Sequence, residues 1–497
     1  MAAAALYLLV FTGGMTIMAT EMSASRLLAP FFGNSLFIWA NLIGLILVYL
    51  TVGYFLGGRL ADRRPEPGLL YHIALAAAVM IAVLPFIARP VMGLAIEGIA
   101  QVSAGAFLGS FAVTILLFAL PVTMLGMISP FAIRLRVTGV ETAGNIAGGM
   151  YALSTIGSII GTFLPVLLLI PWLGTRNTML LFAAALAAAA VLGLATGGGS
   201  RLYGSAPLLI AAALLVPQGA IKPDPLTIFE TESPYHYIQV VERDGTRYLK
   251  LNEGWAVHSV YDPDEMLTGA YWDYFLLAPW FGSGQPPRRV LNIGSAGGTI
   301  ASELIHYYPG VSVDGVEIDP DVVRAGRDFF AMDDPRLTVH VADGRPFLRT
   351  SDDSYDLIAV DAYRQPYIPF YLTTQEFFRE VADHLDEDGT VMINVGKVPG
   401  DDALAGAIAA TMRSVFPVVY SFPGGIYNQM VVATRSPSRP EDLGSRTGTM
   451  PTDVAGLASR ALAEMDVVEP GGVILTDDRA PVEWLTDQMI IHYAREQ

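Results

Sequence analysis

The chain has 497 residues, 53% of them apolar, and a mean hydropathy of +0.46, which excludes a single soluble domain built round one core. Its net charge of −17 is unevenly spread: residues 1–225 sum to +4 and residues 226–497 to −21, so a sparsely charged half is joined to an acidic one. The absence of cysteine excludes disulfides and thiol chemistry, and the acidic half argues against a nucleic-acid partner.

Apolar runs near 5–29, 36–57, 69–88, 106–128, 149–171 and 178–196 are each long enough for a bilayer, and a shorter run follows near 203–217. Their number excludes a cleaved signal peptide as the explanation. They predict a polytopic transmembrane domain over residues 1–220, multi-pass in the cell (inner) membrane, with the lipid bilayer as its partner. The loop Gly57-Gly58-Arg59-Leu60-Ala61-Asp62-Arg63-Arg64 carries three arginines and reads as cytoplasmic. Arg134, Arg136 and Arg201 share that side if one span separates each loop from the next turn. Glu21 and Arg26 lie within or just past the first run, where an ionisable group marks either a functional site or a snorkelling helix-end pair. Gly144 to Gly149 and Gly157 to Gly161 read as helix-packing patches, and Pro121, Pro130 and Pro165 as kinks.

Lys222-Pro223-Asp224-Pro225 is the linker. Residues 226–285 read as a β-hairpin subdomain, with strands at Tyr237 to Val241 and Arg247 to Leu251 around an Asp244-Gly245 turn. An α/β domain over 286–497 follows. Its strands fall at Val290 to Ile293, Val311 to Ile318, Leu337 to Val341, Tyr355 to Val360 and Thr390 to Val395. A helix near 402–415 and strands at Val418 to Phe422 and Gln429 to Ala433 complete it. The segment 437–452, rich in Pro, Ser, Thr and Gly, predicts a mobile loop.

Strand, glycine turn, helix, strand and acid is the doubly wound pattern, in which ligands sit outside the carboxyl ends of the strands. The turn Gly294-Ser295-Ala296-Gly297-Gly298 permits close backbone approach. Glu317, about twenty residues on, suits a ribose diol. The turn lacks the G-x-G-x-x-G spacing of pyrophosphate binders, which favours an S-adenosyl-type nucleoside over a dinucleotide. A doubly wound sheet with a degenerate site is the plainer alternative. The fold expected is thus a multi-span α-helical membrane domain plus an α/β Rossmann-like (methyltransferase-type) domain with a small N-terminal β subdomain.

The motifs of the second half resemble the spermidine synthase (polyamine aminopropyltransferase) family in its membrane-fused form. Ser233-Pro234-Tyr235-His236-Tyr237-Ile238 is similar to its S-x-Y-Q-x-I opening, and Val290 to Glu303 to its glycine-rich strand, turn and helix. Val316-Glu317-Ile318-Asp319 matches V-E-I-D, Ala342-Asp343-Gly344 the adenine-contacting aspartate, and Tyr355 to Asp361 the Y-D-x-I-x-x-D strand. Tyr420 to Gly425 resembles T-Y-P-S-G. The resemblance implies aminopropyl transfer from decarboxylated S-adenosylmethionine to a diamine, without a metal and in a homodimer. It implies a nucleoside held by Gly294, Ser295, Gly297, Glu317, Asp343 and Gly344. Asp361 would be the base or charge acceptor and Tyr363 a hydrogen-bonding partner of the amine. Tyr235, His236, Asp273 and Arg364 would stand at the acceptor.

Departures keep other readings open. Gly297 and Arg364 stand where the family has aspartates, Tyr271-Trp272-Asp273 stands for Y-H-E, and His236 for a glutamine. Asp273, Asp477, Asp478 or Glu483 are candidates to compensate. One alternative is a methyltransferase-like enzyme using intact S-adenosylmethionine, its carboxylate held by Arg364. Another is a transporter or sensor whose nucleoside domain does not turn over. Seven full spans would put the acidic half outside, whereas an interfacial seventh run or a further span around 90–105 would return it inside. Because such nucleosides are cytosolic, a cytoplasmic domain is the expectation.

Overall fold

The computed structural model describes residues 2–32, 36–99, 105–197, 201–217, 219, 221–222, 224–252, 256–364 and 366–496. It divides into two compact units, Met1–Lys222 and Pro223–Gln497.

In the first unit the apolar runs form α1 (Ala2–Phe32), α2 (Leu36–Arg63), α3 (Pro67–Ile99), α4 (Gly105–Gly126), α5 (Ile128–Arg136), α6 (Val140–Leu164), α7 (Ile170–Thr196) and α8 (Ser205–Ala212). Among the described residues, five helical runs are long and apolar enough to cross a membrane. The last, Val140–Thr196, has 57 residues. At ~1.5 Å per residue that is roughly 85 Å, nearly three hydrocarbon thicknesses. Gly174 breaks it, with φ 78° and ψ 166°, so it makes two legs. Just ahead of the break, Pro165 has no N–H to give, and Pro165–Leu169 widens into a π turn. Pro121 lies inside α4, and Pro130 in the first turn of α5 just past the junction at Met127. The 90–99 stretch prolongs α3 rather than forming another leg. Residues 100–104, and Pro223 of the linker, lie outside the described residues.

Small residues set the closest helix approach. A Cβ at Gly157 would lie 2.1 Å from the Phe11 carbonyl oxygen, one at Gly161 2.0 Å from that of Met15, and one at Gly14 2.2 Å from that of Ser154. These three glycines seat α1 against α6. Gly144, Gly148 and Gly149 do not pack as expected: all three are exposed, and an added Cβ would meet nothing within 4 Å, because they face away from the seam. Glu21 is buried on α1 and Arg26 half-buried.

The second unit opens with β1 (Thr227–Glu232), β2 (Tyr237–Arg243), β3 (Thr246–Leu251) and β4 (Val257–Tyr261), an antiparallel sheet in sequential order. Asp244 and Gly245 both take positive φ, 54° and 89°, the two-residue turn whose twist matches its strands. After the short α9 (Ala278–Phe281) come β5 (Arg289–Ile293), α10 (Thr299–Tyr307), β6 (Ser312–Glu317), α11 (Pro320–Phe329), β7 (Leu337–Val341), α12 (Gly344–Thr350) and β8 (Tyr355–Val360). Then follow α13 (Gln375–Asp383), β9 (Leu385–Gly396), α14 (Ala403–Arg413), β10 (Val418–Pro423) and β11 (Asn428–Thr434). The strand order is β12-β10-β11-β9-β8-β5-β6-β7, where β12 is Asp466–Val467 near the end of the chain. The five strands from β5 to β9 run parallel, and β11 and β10 run antiparallel. Apolar clusters cover both faces, which is why these strands read as unbroken apolar runs. The order reverses between β5 and β8, and a ligand crevice belongs at their carboxyl ends.

The mobile loop expected over 437–452 is not there. That stretch holds α15 (Pro440–Arg446) and leads into α16 (Thr452–Ala463). Leu443 and Met450 are buried, and the Arg446 guanidinium donates to the carbonyl oxygens of Trp280 and Gly282. Pro440 sits in a helical first turn, where its missing N–H costs nothing, so composition alone misread a helix start as a loop.

Replacing Gly157 with alanine should force α1 and α6 apart and lower the thermal midpoint of the detergent-solubilised protein by the equivalent of about 1–3 kcal/mol. Gly148→Ala should leave the midpoint unchanged or slightly higher, as scanning fluorimetry would show.

Candidate functional site

The turn between β5 and α10 lies at the reversal point. Gly294 takes φ 85°, and a Cβ there would stand 2.5 Å from the Asp361 carbonyl oxygen, so β8 can approach only a glycine. Each N–H of the turn is engaged within the protein. Gly294 and Ser295 donate to the Val316 carbonyl oxygen, at 2.9 and 3.0 Å, and Gly298 donates to that of Ser295 at 2.8 Å. Ala296 donates to Glu317 Oε2 at 2.9 Å, and Gly297 to Ser259 Oγ at 2.8 Å. No turn N–H is left over for a phosphate. A Cβ at Gly297 would lie 2.9 Å from that of Ser259, so β4 fills the space an aspartate would need. The Ser295 hydroxyl is buried against Gly315, away from any ligand surface.

Glu317 ends β6. Oε2 takes the Ala296 N–H and Oε1 that of Asp319, at 3.1 Å, which orients the carboxyl and leaves lone pairs. Burial raises its pKa, against the opposing pull of His236. His236 is not at an acceptor end. Its Nδ1 lies 2.9 Å from Asp319 Oδ2, which also takes the Ser233 hydroxyl, so it belongs beside the Glu317 carboxyl. Tyr235 is exposed, its ring beside that of His236. Asp343 caps α12, accepting the Arg345 N–H, and takes the Tyr371 hydroxyl at 3.0 Å. Gly344 is pressed against Ile293, 2.3 Å from where its Cβ would be.

Asp361 follows β8 directly. Tyr271 donates to its Oδ2 at 3.0 Å and the Asn394 amide to its Oδ1 at 2.9 Å. Burial pushes its pKa up to about 7, and the bonds from Asn394, Tyr271 and Trp272 hold it from going higher. Tyr363 donates to the Asn394 carbonyl oxygen at 3.0 Å and accepts the Gly396 N–H at 2.7 Å, so its hydroxyl is committed to the backbone of β9. Asn428 donates to Asn394 Oδ1 at 2.9 Å. Asn394 was not singled out in the sequence, and Tyr271 entered only as part of the Tyr271-Trp272-Asp273 segment, without a role. The available signal was a polar residue inside the buried run of β9, in Val391-Met392-Ile393-Asn394-Val395.

Two of the acids proposed to compensate, Asp273 and Asp477, are bound to groups other than Asp361. Asp273 is buried and bound to the Thr268 N–H and hydroxyl and the Gly269 N–H, holding its own turn. Asp477 pairs with Arg345 at 2.7 Å, which lowers its pKa, in a network with Glu380. Arg364 is exposed, and its charge reaches Tyr371, the partner of Asp343. Among the described residues no group of His, Cys, Asp and Glu is arranged to hold a metal.

The spermine/spermidine synthase domain family matches residues 280–433. A probable polyamine aminopropyl transferase of Bifidobacterium longum is 33% identical over 279 residues, covering 52% of this chain and 61% of the relative's own length. The polyamine aminopropyltransferase of Vibrio vulnificus is 32% identical over 202 residues, 39% of this chain and 67% of that protein. A probable spermidine synthase structure from Corynebacterium glutamicum is 19% identical with a TM-score of 0.39, covering 51% of this chain and 98% of that one.

Glu303 of α10 is buried, and among the described residues no donor reaches either of its oxygens. Its neighbour is another acid, Asp273, and burial together with that charge raises its pKa well above the carboxylate range. Both causes favour the protonated form of Glu303. Its stabilisation is complete below the unfolded carboxylate pKa and is lost as pH rises towards the folded value. Glu303→Gln keeps a neutral donor, so its thermal midpoint should fall less than that of the parent between pH 6 and pH 9. Parallel curves would count against the shared proton.

Proposed function

The chain belongs to the spermine/spermidine synthase family, and we propose that its α/β unit transfers an aminopropyl group from decarboxylated S-adenosylmethionine to a diamine. The observation that carries the reading is Asp361, a half-buried residue whose carboxyl, with a pKa of about 7, lies at the carboxyl end of β8, steadied by Tyr271 and Asn394. The nucleoside suits the residues present. A turn with no N–H to spare has nothing to offer a pyrophosphate, and Glu317 has lone pairs for a ribose diol. Asp343 and Gly344 would border the adenine, with Gly294 allowing close approach. The helical runs of the first unit would anchor the enzyme in the bilayer, and a homodimer would be its assembly.

The sulfonium nucleoside supplies the electrophilic propyl carbon. The amine nitrogen forms a C–N bond to that carbon as the C–S bond breaks and the thioether nucleoside leaves. Nitrogen can attack only as a neutral amine, so a proton must go to the protein, and ionised Asp361 receives it. Tyr271 and Asn394 hold the carboxylate in place. Tyr363 works one step back, fixing the backbone at Asn394.

A second reading, transfer from intact S-adenosylmethionine, is favoured by Arg364, an exposed cation where a diamine would meet repulsion. Titration calorimetry of the full-length protein in detergent separates the two. Tighter binding of the decarboxylated nucleoside, with putrescine turnover falling at least ~100-fold in Asp361→Asn, is the expected result. Preference for the carboxylated form, lost in Arg364→Ala, would overturn it.

Because Asp361 must be ionised to accept the proton, kcat/KM should rise with pH through about 7 and then level. Asn394→Ala removes a bond that favours the charged form, so the rising limb should move to higher pH. An unmoved limb would remove Asp361 from the role.

A further inference from the structure

We propose that the chain leaves the helical unit at the membrane face opposite the 57–64 arginine loop, which puts the α/β unit outside the cytoplasm. The argument uses α3 as a ruler, since α3 starts next to that loop. Other groups mark the same end: Arg134 pairs with Asp62 at 2.8 Å, and Arg136 donates to the Tyr7 hydroxyl near the start of α1. The end of α7 arrives there too, because a Cβ at Gly193 would fall within 2.0 Å of the Tyr71 ring. Tyr203, at the head of the last apolar run, packs edge-on against His72 with ring centroids 5.1 Å apart.

That last run, Leu202–Leu215, was the one whose crossing was open. Its far end stands at the other end of the ruler. Arg176 donates to the carbonyl oxygens of Ala213 and Val216, both at 3.0 Å, and of Pro217 at 3.1 Å. The same guanidinium lies 4.7 Å from the Phe86 ring of α3. Arg89, further along α3, donates to the Gly219 carbonyl oxygen at 2.9 Å. The Lys222 ammonium is 5.6 Å from the ring of Phe31, at the far end of α1. From His72 to Arg89 is about 25 Å of helix at ~1.5 Å per residue, most of a ~30 Å hydrocarbon core. The run covers this although α8 is short, because Arg201–Gly204 and Ala213–Leu215 are stretched 3-10 turns at ~2 Å per residue.

With Val140–Thr196 folded back at Gly174, the described residues of the helical unit make seven legs, an odd number. The loop end carries Arg59, Arg63, Arg64, Arg134, Arg136 and Arg201. The cations towards the other end are Arg26, Arg89, Arg176 and Lys222, all buried or half-buried in the unit. The arginine-rich end is cytoplasmic by the positive-inside rule, and the exit is not. This reverses the cytoplasmic placement expected from where such nucleosides are made. It stands apart from the proposed reaction, whose nucleoside and acceptor would then have to reach the site from the outer side.

The chain contains no cysteine, so single cysteines can report on each side. Glu66→Cys and Thr142→Cys mark the loop end; Ser354→Cys and Ser445→Cys mark the α/β unit, and all four positions are exposed. Each would be expressed in cells, converted to sealed spheroplasts and treated with a membrane-impermeant maleimide before and after permeabilisation. The expected result is labelling of Ser354→Cys and Ser445→Cys in sealed spheroplasts, at least tenfold above Glu66→Cys and Thr142→Cys, which react only on permeabilisation. Equal labelling of the two pairs, or the reverse pattern, would overturn the proposal. Because labelling requires no turnover, the outcome is separable from any failure of the aminopropyl-transfer reading.

Discussion

The turn between β5 and α10 spends every one of its N–H groups inside the protein, and the chemistry of the α/β unit depends on that closure. Two N–H groups tie the turn to β6 through Val316, one to Glu317 and one to Ser259 of the small sheet. A glycine-rich turn is often an anion cradle, because its N–H groups converge on a phosphate. Here they converge on the protein's own oxygens. The turn becomes a shelf that orients the Glu317 carboxyl, and under the proposed function recognition would pass from backbone donors to that side chain. The bond from Gly297 to Ser259 also seats β4 on the shelf, so the small sheet helps to shape the site.

At Asp361 the competition is between desolvation and hydrogen bonding. Burial alone would drive the carboxyl further up the pH scale. Donors from Tyr271, Asn394 and Trp272 each favour the charged form and bring it back to about 7. Glu303 shows what happens without such donors among the described residues: burial and the charge of Asp273 both raise its pKa and favour the protonated form. Two carboxyls of one domain thus differ in their protonation balance through their neighbours. A carboxyl poised near neutrality is what proton acceptance from an amine requires.

The helical unit follows other rules. Apolar surface gains nothing by meeting apolar surface inside a bilayer, so close packing decides which helices touch. Gly14, Gly157 and Gly161 supply it between α1 and α6, with backbones so near that no Cβ would fit. Arg176 is the polar counterpart. Its guanidinium gathers three carbonyl oxygens at the end of the last helical run, where the helix leaves acceptor capacity unused.

Periodicity and turn residues determined a great deal by themselves. The apolar runs, the parallel strands and the acids at their ends were legible because a strand buried on both faces is mostly apolar, and its charged residues are cheapest at the ends. The Asp244-Gly245 turn was legible for a similarly local reason. The helix at Pro440–Arg446 was not, since its composition suits a loop and only the burial of Leu443 and the anchoring of Arg446 stabilise it. Nor could the sequence tell which acids serve the site. Asp273, Asp343, Asp361 and Asp477 are alike in one dimension, and their roles differ because different donors reach them: a turn, a helix start with Tyr371, Tyr271 with Asn394, and Arg345. The last apolar run is the same case. Its length left its far end unplaced, and the carbonyl oxygens that reach Arg176 fix where that end lies within the helical unit, because where a chain ends in space depends on its partners rather than on its hydropathy.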